Sequence, residues 1–255
     1  FGDWKARADE LDVVDYSKLS PGDERTYIHK AFTKGFKIGR ELADDDQYRQ
    51  IGKFARELAF AGRASVEKDA FSLFAKGFTE NGYDGVPLFS KTHKLLDSTK
   101  KCSNLVEGEL TRENLKKGCI VMREQLNEAG NLIAVKADKL IIPPALEDTA
   151  VQILDAKLLP DTDFNNSNKY MTNMGLQIVV CSYLGEIAGG SDTAWFLQDS
   201  RVHQLTFFWR VKPEFKSAET FDDFTASYRG YMRYSYGYSD WRGMVGSQGI
   251  APVGE

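Results

Sequence analysis

DDQYRQIGKFARELAFAGRASVEKDAFSLFAKG, residues Asp45 to Gly77, carries the pattern that decides the architecture. Ile51, Phe54, Leu58, Val66, Ala70, Leu73 and Phe74 recur at helical spacing, and charged residues fill the opposite face. At 1.5 Å per residue, a helix over this stretch is about 50 Å long, well beyond the usual three turns. Asp44, Asp45 and Asp46 stand where carboxylates complement a helix N-terminus, and Gly62 offers a bend point. One long helix with a single apolar stripe is a spine on which other elements lie.

Upstream, no regular period holds from Phe1 to Arg25, and Ser20-Pro21-Gly22-Asp23 is a turn signal. Arg25 to Leu42 (RTYIHKAFTKGFKIGREL) mixes aromatic and β-branched residues with Lys and Arg, which predicts an extended strand pair. Residues 1–42 therefore read as an arm, with Tyr16, Leu19, Tyr27, Phe32 and Phe36 as candidate contact side chains toward another subunit. A long charged hairpin with so little apolar content is unstable alone, and on a monomer this arm has nothing to rest on.

Downstream, Asn81 to His93 (NGYDGVPLFSKTH) is a loop punctuated by Gly and Pro. Thr111 to Gly130 predicts a second helix, with Leu115, Cys119, Met122 and Leu126 on its buried stripe. Leu132–Val135 and Lys139–Ile142 are short strands, and Pro143-Pro144 opens a third helix that turns Leu146, Ala150, Ile153 and Leu154 inward. Leu176–Val180 and Ala194–Leu197 are strands flanking a Gly-rich turn at Gly189–Asp192. Leu205 to Tyr238 is strand-like. Helices and strands mix without a strict βαβ rhythm, so the fold class is α+β.

Composition narrows the function classes. The 255 residues carry 33 Lys plus Arg against 37 Asp plus Glu, a net charge of −4, which argues against a chain whose task is wrapping phosphates. Cys102, Cys119 and Cys181 are too widely spaced for a zinc knuckle or a disulfide framework, which suits a reducing compartment. No apolar run reaches the roughly 20 residues that cross a bilayer, so no membrane partner is expected. The chain opens on Phe1 rather than Met, so the expectation is a start lying upstream or a leader cut off.

No residue set signals catalysis, a metal or a cofactor. His29, His93 and His203 lack metal-ligand spacing and read as structural. Asp44 to Asp46 could serve a metal-dependent enzyme, but adjacent residues on a helix cannot all face one ion. Ser182 and Ser191 lack a nucleophile elbow, and Asp84 between Gly82 and Gly85 reads as a turn aspartate. Tyr228 to Trp241 (YRGYMRYSYGYSDW) interleaves aromatics with Arg229 and Arg233. Such a pattern stacks bases in single-strand binders, yet it also builds protein interfaces. The alternation Tyr228, Gly230, Met232, Tyr234, Tyr236, Tyr238 favours a strand packed on one face with its arginines outward.

The order of these features resembles the major head subunits of tailed bacteriophages, within the family of the phage Mu major head protein. The likeness rests on Gly39-Arg40-Glu41-Leu42, Asp84-Gly85-Val86-Pro87-Leu88-Phe89-Ser90 with His93, and Leu110-Thr111-Arg112-Glu113-Asn114-Leu115 with Met122. It continues through Lys139-Leu140-Ile141-Ile142-Pro143-Pro144-Ala145-Leu146, Gln177-Ile178-Val179-Val180 and Ala194-Trp195-Phe196-Leu197. Lys94 and Cys181 stand where family members often carry proline.

The resemblance implies a Hong-Kong-97-type capsid fold. Residues 1–42 would hold the N-terminal region and the extended loop, 43–130 the spine helix and peripheral domain, 131–225 the axial domain, and 226–255 a return strand and tail. It implies a non-enzymatic shell subunit without cofactors, assembled as hexamers and pentamers in the host bacterial cytoplasm into a virion capsid. The implied partners are further copies, a portal, decoration or scaffolding proteins, and packaged DNA held without sequence specificity. A protease that removes a scaffolding leader is also implied. An encapsulin-type compartment shell is the alternative on the same fold.

Overall fold

The computed structural model describes residues 25–45, 50–95, 100–156, 169–220 and 225–249. In chain order the elements are β1 (Lys30–Gly39), α1 (Arg40–Asp44), α2 (Gln50–Lys76), β2 (His93–Lys94), β3 (Lys101–Cys102), α3 (Arg112–Arg123) and β4 (Lys139–Ile142). There follow α4 (Glu147–Asp155), α5 (Lys169–Thr172), β5 (Gln177–Val180), β6 (Trp195–Gln198), β7 (Leu205–Thr220), β8 (Thr225–Tyr238) and β9 (Met244–Ser247). They divide into two compact units, one made of Thr26–Leu73 with Leu205–Tyr238, the other of the described residues within 74–204 and 239–249. The α+β expectation holds.

The first unit is a three-stranded antiparallel sheet, ordered β1-β8-β7, with α2 against one face. The strand pair expected within residues 25–42 is a single strand. β1 takes its partner from the far end of the chain, in register from Lys30 opposite Tyr234 to Gly39 opposite Thr225. The aromatic residues of β8 supply the apolar surface that the β1 segment lacks: Phe32 stacks on Tyr234 at 4.5 Å and Phe36 on Tyr228 at 5.0 Å. The long hairpin is β7–β8. Its register slips between Trp209 and Glu214, around Pro213, which an edge strand tolerates because no donor is needed there.

α2 runs 27 residues, about 40 Å at helical rise. Tyr234 donates from Oη to Asp69 Oδ2 at 2.6 Å, and the Ser72 and Tyr236 hydroxyls lie 3.3 Å apart, so polar contacts fix the helix on the sheet. The acidic run does not open this helix. Asp44 closes the short helix α1 and pairs with Arg40 at 3.5 Å, Asp45 is its C-cap, and Asp46 lies outside the described residues.

The second unit centres on a mixed sheet ordered β5-β4-β6-β9, parallel between β4 and β5 and antiparallel elsewhere. Leu115, Cys119 and Met122 of α3, Leu140 and Ile142 of β4, Ala150 and Leu154 of α4, and Trp195 and Leu197 of β6 form its core. Each large apolar side chain hidden there contributes about 1.5–3 kcal/mol. Gly118 lets α3 approach β6, since a Cβ there would lie 2.9 Å from Leu197 Cδ1. Thr111 caps α3 as expected, accepting from Asn114 N at 3.2 Å.

The helix stops at Arg123 rather than Gly130. Buried Gln125 leaves the helical path to donate from Nε2 to Met244 O and to accept from Gly243 N, and Gly130 instead serves a tight turn at φ +84°. Leu132 makes one bridge to Leu126 in place of the expected strand. The strands expected at 139–142, 176–180 and 194–197 appear as β4, β5 and β6.

Candidate assembly surface

The first unit leaves much apolar surface uncovered. On α2, Phe54 of the predicting stripe is 42% exposed and most of its other members are half-buried, while Phe60, off that stripe, is 74% exposed. An apolar groove of about 340 Å³ lies between α2 and the sheet, lined by Phe32, Leu58, Val66, Trp209, Phe215 and Met232 among others. Of the arm residues named from sequence, the structure brings three together on one sheet. Tyr27 packs on Phe208 at 5.1 Å and against Gly237, while Phe32 and Phe36 lie on β8. Tyr16 and Leu19 lie outside the described residues.

β8 keeps the alternation read from its sequence as far as Tyr234, beyond which Ser235 and Gly237 on the other face are buried as well. Met232, Tyr234 and Tyr238 are buried, and Arg229 and Arg233 are exposed. Burial raises the Tyr234 phenol above its ordinary range, and the Asp69 carboxylate reinforces the shift. The aromatic side chains of this strand are engaged in packing on Phe32, Phe36, Phe207 and Trp209.

In the second unit, Asp84 does more than close a turn. Its Oδ1 accepts from Val86 N at 3.3 Å, and its Oδ2 meets His93 Nδ1 at 2.6 Å. His93 Nε2 faces Asn104 Oδ1 at 3.1 Å. The orientation of that amide is fixed, because Nδ2 donates to Leu88 O at 2.7 Å and Oδ1 accepts from Ser90 N at 2.8 Å. Nε2 must therefore donate, while Nδ1 faces the Asp84 carboxyl group. Both ring nitrogens are committed, so this Asp–His pair has no free base to offer a substrate. His93 is fully buried and stacks on Trp241 at 4.3 Å. The three partners are irregularly spaced in sequence, and the one available signal was a histidine close to a turn aspartate.

A second closed cluster adjoins it. Arg242 donates to Leu126 O at 2.7 Å and pairs with Asp240 and Glu128 at 3.0 and 2.8 Å, while its guanidinium lies over Trp241. Tyr83 Oη donates to Asp240 Oδ1 at 3.2 Å; burial first, then that carboxylate, raises the phenol. Asp199 is buried, which alone would raise its carboxyl. The Arg201 side chain and the backbone N–H groups of Arg201 and Lys136 outweigh that and hold it below the usual carboxylate range. Burial pushes the Cys119 thiol up to about 11, which makes it inert. Among the described residues no three His, Cys, Asp or Glu side chains converge as metal ligands. No described helix is long and apolar enough to cross a membrane. The polar clusters staple loops.

These two units, one a long helix on a long antiparallel sheet and the other built on a mixed sheet, accompany a sequence match to the phage capsid protein family over residues 23–247. The chain belongs to that family. It is 35% identical over 79 residues to the major capsid protein of Escherichia phage Mu, an alignment covering 31% of this chain and 25% of that protein. The chain thus spans about a quarter of the length of this curated relative. The capsid of Myoviridae phage XM1 superposes with a TM-score of 0.53 at 14% identity, covering 91% of this chain and 81% of the other. A holo-encapsulin complex from Synechococcus elongatus PCC 7942 superposes with a TM-score of 0.55 at 10% identity, covering 90% and 77%. At these identities the superpositions show the fold, and the Hong-Kong-97-type α+β expectation is borne out.

Proposed function

We propose that this chain is a major capsid protein that self-assembles as hexamers and pentamers into the icosahedral head shell around the double-stranded DNA of a tailed bacteriophage. The observation that carries the reading is the family match across residues 23–247. Its physical support is a unit whose long helix and groove keep large apolar side chains in water until another copy covers them, as obligate interfaces do. Assembly, with no turnover, is then the function, carried out in the host cytoplasm with a portal and decoration or scaffolding proteins as further partners.

In this reading the unit built on α2 and the β1-β8-β7 sheet serves as the peripheral domain, and the unit around β4 as the axial domain. That assignment replaces the sequence-based divisions at 42, 130 and 225. Residues upstream of β1 serve as the extended loop, with Tyr16 and Leu19 meeting a neighbour and Tyr27, Phe32 and Phe36 fixing the loop's base on β8.

The encapsulin reading is supported by a superposition as good as the phage one. Sizing chromatography with negative-stain electron microscopy of the purified chain tests both. Closed shells or capsomers support a shell subunit. Packaged DNA in particles from infected or induced cells supports the virus, and a protein cargo supports the compartment. A stable monomer at high concentration overturns both.

A further inference from the structure

We infer that the solvent face of the β1-β8-β7 sheet is an electrostatic dock for the acidic stretch Asp9–Asp15 of a second copy. The inference rests on the shell reading and names the partner of one of its surfaces. Residues directly opposite one another in the antiparallel register share a face. Lys216 stands opposite Arg229, Val211 opposite Arg233, and Glu214 opposite Tyr231 on the β7 side. On the β1 side Lys37 stands opposite Ser227, two residues before Arg229. Lys37, Lys216, Arg229 and Arg233 therefore lie on one face, away from the Phe32, Phe36 and Tyr234 face that meets α2, and all four are exposed.

Glu214 is the acidic residue within this group, and it is 3.5 Å from Lys216. Lys37, Arg229 and Arg233 have no carboxylate partner among the described residues. Like charges directly opposite one another destabilise a strand pair, so Lys216 against Arg229 costs the isolated chain stability that an acidic ligand would return. Arg229 and Arg233 are four residues apart on one strand, about 13 Å, so they offer two separate cationic points along the face.

Charge is unevenly distributed along the chain in the sense this requires. The segments 26–73 and 205–238 carry 14 basic and 11 acidic residues, whereas the rest carries 19 and 26. The acidic excess includes residues 1–24, with seven acids against three bases, and is densest in Asp9, Glu10, Asp12 and Asp15. Fifteen residues separate Asp15 from Lys30, a span of up to about 50 Å when extended, enough to reach a neighbour.

The test uses the full chain under conditions in which the wild type assembles. R229E/R233E changes only exposed side chains, and its fold is checked by circular dichroism. The expected result is at least a tenfold loss of assembled particles, largely restored when D12K/D15K is added to the same chain. Independently, D15C/R229C is oxidised with copper–phenanthroline; the three native cysteines are buried. Covalent dimers and longer ladders support the dock. Cross-linking confined to single chains assigns the face to the chain's own segment and overturns it. Normal assembly of R229E/R233E with reduced DNA retention assigns the face to nucleic acid and likewise overturns it, while the shell reading stands. A wild-type chain that never assembles removes the shell reading itself and the dock with it.

Discussion

Replacing His93 by alanine should cost the second unit about 4–5 kcal/mol. The imidazole is fully buried, and its removal leaves Asp84 Oδ2, whose side chain is 8% exposed, and Asn104 Oδ1 facing a void. Breaking a buried charge-assisted pair by deleting one partner costs about 3–5 kcal/mol, mostly as the penalty on the group left behind. The lost stack on Trp241 adds about 0.5–1.5 kcal/mol. Against a typical stability of 5–15 kcal/mol, that is enough to shift a urea midpoint by more than 1 M. The assay is urea unfolding of unassembled protein, read together with amide exchange across residues 81–106. Protection should fall first at Ser90 and Asn104, whose N–H groups donate within this loop pair. Asp84→Asn is the milder companion, since its amide oxygen still accepts from Val86 N, and should lie between wild type and H93A. A loss under 1 kcal/mol in H93A, with unchanged exchange, would refute the view that this network holds the loop.

Tyr234→Phe removes the donor to Asp69 and should destabilise the first unit by about 1.5–3 kcal/mol in chemical denaturation, since the acceptor is charged. Asp199→Asn should be destabilising at neutral pH. A carboxyl held below its ordinary value contributes stability present above about pH 4 and lost as pH falls through the folded value, so the gap between variant and wild type should narrow from about pH 4 downward in urea titrations. Gly190→Ala places a Cβ 2.0 Å from Leu184 O and should open the turn between β5 and β6, raising amide exchange at Ser191, whose N–H donates to that same oxygen. With all three cysteines buried, iodoacetamide at pH 8 should label none in the folded chain and all three in urea, as counted by intact mass.

α2 was readable because a period of 3.6 residues needs no information from elsewhere, and β8 because a period of 2 sets its buried and exposed faces locally. The partner of β1 was not. Lys30 opposite Tyr234 joins two segments from opposite ends of the chain, and pairing at that separation leaves no mark in either sequence alone. α3 ended early for a similar reason, since Gln125 answers to Met244 and Gly243 rather than to its own helix. The Asp84–His93–Asn104 network needed the loops folded before its donors and acceptors could be matched. The cationic sheet face was half legible: the arginines of β8 pointed outward by alternation, but Lys37 and Lys216 join them only through register.

The two units divide polar and apolar work in opposite ways. In the second, His93, Arg242 and Asp199 are buried and each is held by polar partners: His93 by Asp84 and Asn104, Arg242 by Asp240 and Glu128, Asp199 by the more exposed Arg201. These pairs tie their loops together. In the first unit the sheet is covered on one face by a single helix, which itself exposes Phe54 and Phe60. A two-layer structure so thin cannot hide both faces of its sheet and all of its helix at once. The surface it leaves is apolar beside α2 and cationic on the far side. Such a surface is stable as a boundary between copies and poorly suited to solvent. Tied loops in one unit and an incompletely covered helix and sheet in the other suit the shell subunit proposed above.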